Sequence, residues 1–143
     1  MILNRVSIEK RVAVVDQRSR IGDWEIDTII GAHHQGVLLS LVERKSRLCL
    51  IARLANKSAQ EVERTTINLL DSIKEKVHTV TSDNGKEFAK HESIAKNLDV
   101  QFFFAHPYAS WERGLNENTN GLIRQYFPKK TQFNNITIAS PVG

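Results

Sequence analysis

The run Val37-Leu38-Leu39-Ser40-Leu41-Val42 limits the fold more than any other feature of this chain. A nearly unbroken apolar stretch of that length is what a strand buried on both faces requires. Two further strand-like segments flank it. Trp24-Glu25-Ile26-Asp27-Thr28-Ile29-Ile30 is rich in β-branched and aromatic residues, and Leu48-Cys49-Leu50-Ile51-Ala52-Arg53-Leu54 follows the charged turn Glu43 to Arg47. Gly31-Ala32-His33-His34-Gln35-Gly36 forms the other connection. Such short links predict an antiparallel meander. Residues 1–20 contain no Gly or Pro and mix charges with short apolar steps, which reads as an N-terminal arm; Val12, Val14 and Val15 are its one strand-like stretch.

The period changes at Ser58. Ser58 with Glu61 three residues on forms a capping box. Val62, Thr66, Leu69, Leu70 and Ile73 then recur at helical spacing, with Lys74 and Lys76 where cations complement the helix dipole. Val77 to Thr81 is a fourth strand, and a second helix over Glu87 to Leu98 turns Phe88, Ile94, Ala95 and Leu98 inward. Val100 to Ala105 is a fifth strand, and a third helix runs from about Leu115 to Phe127, stopped by Pro128. The order βββ-α-β-α-β-α predicts an α/β fold with one mixed five-stranded sheet and helices on its faces. Three regions follow: the arm over 1–20, a core over 21–130 and an irregular tail over 131–143.

Composition removes several classes. In 143 residues, 41% hydrophobic and 25% charged, the chain matches globular averages and is neither disordered nor fibrous. A single cysteine, Cys49, excludes an internal disulfide framework and a multi-cysteine zinc site, and fits a reducing compartment. No apolar run approaches the roughly 20 residues that span a bilayer, and the N-terminus lacks a secretory h-region. A cytoplasmic domain without a membrane partner is the expectation. The net charge of +4 weakly favours a polyanionic partner.

Three carboxylates stand out. Asp27 lies mid-strand among apolar residues, where a charge is costly without a hydrogen bond, an ion pair or a metal. Asp83 ends the fourth strand before Asn84-Gly85, and Glu117 opens the third helix, with 33 residues between the two. A passage containing one helix can return both to one sheet edge. Local explanations exist for each. Asp-Asn-Gly is a turn signal, Glu near a helix N-terminus complements the dipole, and Asp27 could face solvent. On the third helix Glu117, Asn120, Gly121 and Arg124 share a stripe at i, i+3, i+4 and i+7, opposite Leu115, Thr119, Leu122, Ile123 and Tyr126. A carboxylate beside an amide, a gap and a guanidinium suits a metal next to a phosphate backbone. A solvated polar face is the plainer alternative. His33-His34 and His91-Glu92 lack the i, i+4 spacing of a zincin helix and read as surface residues.

Gly22-Asp23-Trp24-Glu25-Ile26-Asp27, Ser82-Asp83-Asn84-Gly85-Lys86-Glu87-Phe88 and the long block Tyr108 to Pro128 together resemble the IS30-family transposases, within the retroviral-integrase-like DDE superfamily. The resemblance covers roughly Gly22 to Phe133. It implies a ribonuclease-H-like fold, and Asp27, Asp83 and Glu117 as the catalytic and metal-holding triad. Asn120 and Arg124 would face DNA.

Hard carboxylate oxygens suit Mg²⁺ or Mn²⁺, and a pair of ions can clamp an in-line phosphoryl displacement. The expected reaction is hydrolysis of a phosphodiester at an element end, then strand transfer to target DNA. Asp27 would bridge the ions. Lys86, Arg113, Arg124, Lys129 and Lys130 are the phosphate-contact candidates, and Trp111 either stacks on a base or plugs the core edge. The resemblance also implies a homodimer, associated with the nucleoid when DNA-bound. The chain lacks the family's helix-turn-helix region and its usual continuation after about Ile136, so an isolated catalytic core is expected. Two other readings stay open: a ribonuclease-H-type nuclease, and a silent remnant that binds DNA or an intact transposase.

Overall fold

The computed structural model describes residues 2–11, 13–17, 20–31, 36–105 and 139–142. Its strands are β1 (Asp23–Ile30), β2 (Val37–Glu43), β3 (Cys49–Leu54), β4 (Thr79–Ser82), β5 (Gln101–Phe104) and β6 (Ala139–Val142). Its α-helices are α1 (Ala13–Gln17), α2 (Ala59–Leu70) and α3 (His91–Leu98). The strands form one mixed sheet in the order β5-β4-β1-β2-β3-β6. β1 pairs antiparallel with β2 on one flank and parallel with β4 on the other, and β5 extends the parallel half.

The meander and the two later strands stand where the sequence puts them. The sheet itself is wider than the expected five strands. β6 comes from the segment read as irregular tail and pairs antiparallel with β3, Cys49 opposite Val142 and Leu50 opposite Pro141. Proline tolerates an edge strand because its missing N–H can face away from the ladder, so Pro141 did not preclude a strand there. Val14 and Val15 of the arm belong instead to α1, preceded by a 3₁₀ turn over Ile8–Lys10, and Val12 lies outside the described residues.

One face of the sheet packs against α2 and α3. Trp24 and Ile26, Leu39 and Leu41, Leu54, Val80, Phe102 and Phe104 meet Val62, Leu70, Phe88, Ile94 and Leu98 in a single apolar core. Removing each such side chain from water contributes about 1.5–3 kcal/mol. β2 is buried at all seven positions, which explains its unbroken apolar run. Its alternate residues Leu38 and Val42 join Ile29, Cys49 and Ile51 in a smaller cluster on the opposite face.

Ser58 caps α2 by accepting from Glu61 N–H at 3.2 Å. The reciprocal half of the capping box does not form. The Glu61 carboxylate accepts from Arg64 and from Ala55 N–H, while Ser58 N–H donates to Asn56 Oδ1 at 2.9 Å. The helix tightens into a 3₁₀ stretch over Asp71–Lys76, so the α-helical part stops short of Ile73. The second helix also starts later than expected. Lys86–Phe88 is a 3₁₀ turn, and α3 begins at His91 and ends at Asp99, whose φ of 54° is a left-handed cap.

His91 is a correction. It is 2% exposed, against the surface placement expected of it. Its Nε2 lies 2.8 Å from Leu3 O, and its ring meets Phe104 edge-on at 4.9 Å. The arm thus supplies the polar partner that lets a histidine enter the core. The arm also runs along β5, with Phe104 N–H donating to Val6 O at 2.8 Å.

Candidate metal centre

Strand alternation places Asp23, Glu25 and Asp27 on the face away from α2 and α3, with Ser40 opposite Asp27 on β2. The parallel register with β4 sets Asp23 against Thr79, Trp24 against Val80 and Glu25 against Thr81. Continued by two residues, it brings Asp83 level with Asp27. The two carboxylates therefore lie level on neighbouring parallel strands, Asp83 just past the carboxyl end of β4 and Asp27 within β1. Both are half-buried. Thr28 N–H donates to Asp27 Oδ1 at 2.8 Å, and Gly85 N–H donates to Asp83 Oδ1 at 2.8 Å. The latter is the local turn bond that Asp-Asn-Gly favours.

Asn84 fastens this corner. Its Nδ2 donates to Ala105 O at 2.6 Å, and its Oδ1 accepts from the Arg5 guanidinium of the arm. The loop after β4 is thereby tied to the end of β5 and to the N-terminal segment. Lys86 is exposed in the 3₁₀ turn that follows, free to face a phosphate.

The rest of the acidic face is neutralised by arginines. Arg44 Nη1 meets Glu25 Oε2 at 2.5 Å, and Arg44 Nε donates to Val15 O. Arg20 binds both oxygens of Asp23 at 2.9 and 3.0 Å, and Thr79 Oγ1 donates to the same carboxylate at 2.8 Å. The Asp23 hydrogen bond holds the Arg20 guanidinium above its ordinary range. Arg11 Nη1 donates to Thr81 Oγ1 at 3.1 Å. Asp23 and Glu25 are thus engaged by arginines. Sequence reading singled out Asp27 and passed over Asp23 and Glu25, although their i, i+2, i+4 spacing already placed all three on one face.

The opposite face holds a further acid that sequence reading missed. Glu87 is 7% exposed, accepts from Thr28 Oγ1 at 2.8 Å and lies 3.6 Å from Lys57 Nζ. Its place two residues after the Asp-Asn-Gly turn gave no sign of this role in the sequence.

Glu117 and the DNA-contact candidates Arg113, Asn120, Arg124, Lys129 and Lys130 lie outside the described residues, as do Trp111, His33 and His34. Among the described residues no three His, Cys, Asp or Glu side chains gather where they could hold a metal ion. Asp27 and Asp83 are two donors of the hard oxygen type that Mg²⁺ or Mn²⁺ accepts, so the residues present fit the metal the resemblance implies.

The sequence profile of the integrase core domain family matches residues 17–110. The chain belongs to that family. The integrase core is 49% identical over 136 residues to the transposase for insertion sequence element IS4351 of Bacteroides fragilis, covering 95% of this chain and 42% of that protein. It is 39% identical over 131 residues to transposase InsI for insertion sequence element IS30A of Escherichia coli K12, covering 91% of this chain and 34% of that protein. The core therefore spans less than half the length of these relatives. A chain in the cryo-electron microscopy structure of a simian T-cell lymphotropic virus intasome, in complex with PP2A regulatory subunit B56 gamma, matches it with a TM-score of 0.65 at 18% identity. That match covers 83% of this core and 44% of the other chain. The fold is the ribonuclease-H-like one expected. No helix among the described residues is long and apolar enough to cross a membrane.

Proposed function

We propose that this chain is the catalytic core of a DNA transposase. In this reading it cuts a phosphodiester at an element end and transfers the freed 3′-hydroxyl to target DNA, in the cytoplasm and as a homodimer. Asp27, Asp83 and Glu117 hold two divalent ions. The observation that carries the reading is the β1–β4 register, which, continued by two residues, brings Asp83 level with Asp27 on neighbouring strands of an integrase-core sheet.

Bound Mg²⁺ or Mn²⁺ supplies Lewis acidity to the attacking and leaving oxygens of an in-line displacement. The protein's part is positioning. Asp27, on the central strand, would hold the metal together with Asp83 and Glu117. The Thr28 and Gly85 N–H groups orient the two aspartates before any substrate arrives. Lys86, Arg113, Asn120, Arg124, Lys129 and Lys130 take the phosphate backbone and fix the DNA without reading its sequence. No serine, tyrosine or cysteine nucleophile is needed, because water and the DNA 3′-hydroxyl are the attacking groups.

The test is nicking and joining of duplex DNA carrying element-like ends, with and without Mg²⁺ or Mn²⁺. Activity should require the metal, and Asp83→Asn should abolish it while the far-ultraviolet circular dichroism stays native. Full activity in Asp83→Asn overturns the assignment. Preference for RNA–DNA hybrids over duplex DNA would favour a ribonuclease-H-type nuclease instead. Arg124→Ala should lower the slope of log K against log salt by about 1 for duplex DNA. Sedimentation velocity reports the dimer.

A further inference from the structure

Glu87 touches both halves of the candidate metal centre from behind. Thr28 is the residue after Asp27, and alternation sends its side chain to the helix-covered face while Asp27 takes the other. There Thr28 Oγ1 donates to Glu87 Oε2 at 2.8 Å. Gly85, two residues after Asp83, sits against the same carboxylate. A Cβ built on it would lie 2.2 Å from Glu87 Oε1 and 2.7 Å from its Cδ. Gly85 N–H in turn donates to Asp83 Oδ1. One buried carboxylate therefore fixes the end of β1 through a hydrogen bond and the loop after β4 through close packing. Lys57, 42% exposed at its side chain, partners the charge at 3.6 Å.

We propose that Glu87 is a positioning residue that sets the separation of Asp27 and Asp83. The proposal rests on the reading of those two aspartates as metal ligands. Glu87 does not reach the metal or the DNA; it acts by holding Thr28 and Gly85 at a fixed distance across the sheet. Gly85 is required because only a residue without a Cβ lets the carboxylate close under the loop. The backbone there is ordinary extended chain, so the requirement is one of space and not of conformation.

The experiment is Mn²⁺ binding to the full chain, followed by electron paramagnetic resonance of the free ion, together with metal-free thermal melting. Thr28→Val removes the hydroxyl and keeps the shape. It should weaken Mn²⁺ binding about tenfold or more, the usual cost of losing a group that orients metal ligands, while the metal-free chain stays folded with a melting temperature lowered only by the lost hydrogen bond. Thr28→Ser should restore native binding. Glu87→Asp keeps the charge and retracts the carboxylate, and should weaken Mn²⁺ binding as Thr28→Val does. Native Mn²⁺ affinity in both Thr28→Val and Glu87→Asp, alongside lost binding in Asp27→Asn, overturns the positioning role and leaves the metal centre standing. A Thr28→Ser variant as weak as Thr28→Val also overturns it. Native binding in Asp27→Asn removes the metal centre and the positioning role with it.

Discussion

Arg44 and Glu25 meet at 2.5 Å with 4% and 0% of their side chains exposed, two residues along β1 from Asp27 and on the same face. Two charges taken from water at that depth hold each other in place, and neither tolerates loss of its partner. Arg44→Met should therefore destabilise the chain by about 3–5 kcal/mol in urea unfolding, because it strands the Glu25 carboxylate. Arg44→Met with Glu25→Leu should recover most of that loss. A double variant as unstable as the single one would mean that the pair matters through packing and not through charge.

Gly85→Ala should be destabilising even though the backbone conformation suits any residue. The new methyl meets the Glu87 carboxylate, which Thr28 and Lys57 restrain. A cost of about 1–3 kcal/mol is expected, as for other overpacked sites. Adding Glu87→Ala removes the obstacle, so the double variant should be more stable than the sum of the two single losses implies. Urea midpoints of the four proteins measure the coupling.

Burial pushes the Cys49 thiol up to about 11 from its ordinary 9.0. The folded chain therefore keeps a proton that the unfolded chain releases first. Stability from this group is fully present below pH 9 and falls as pH rises from 9 towards 11. Urea midpoints at pH 8 and pH 10.5 should differ more for the native chain than for Cys49→Ala. Alkylation by iodoacetamide at pH 8 should be slow until the chain is unfolded, since the thiol is both neutral and covered. Rapid alkylation of the folded chain would contradict this placement.

Ser58→Ala should cost about 1 kcal/mol, through loss of the oxygen that accepts from Glu61 N–H. Ser58→Asp should retain the cap. Because Glu61 does not complete the reciprocal bond, Glu61→Gln should change stability less than Ser58→Ala does; chemical unfolding of the three variants tests the ranking. The Arg64 hydrogen bond holds the Glu61 carboxyl below the usual carboxylate range. That small contribution is present at neutral pH and lost as pH falls through the acid range.

β1, β2, β3 and β5 were legible because each carries enough apolar residues to declare its burial. β2 reads as doubly covered from Val37 to Val42, and the structure buries it throughout. Helix starts were less legible. Lys86 to Phe88 has helical composition, yet the turn after Asp83 tightens it into 3₁₀ geometry. His91 was misplaced because its partners, Leu3 O and the Phe104 ring, come from distant parts of the chain. β6 was invisible because four short residues with a proline carry no pattern; the edge of β3 organises them. At the site, Asp27 was found by its cost inside an apolar strand and Asp83 by its turn. Glu87 carries no such mark, since its role depends on Thr28 across 59 positions of chain.

The two flanks of β1 differ in how far the chain must travel to build them. Its antiparallel partner follows after a brief connection, whereas the parallel pairing of Asp23 with Thr79 must wait until everything between them has been threaded. Distant pairings form late because closing a large loop is entropically slow. The β1–β2–β3 hairpins should thus gain hydrogen-exchange protection before the acidic corner during refolding. A chain frayed by heat would keep its meander after the parallel seam has opened, so the level placement of Asp27 and Asp83 would report on whether the two halves of the sheet are joined.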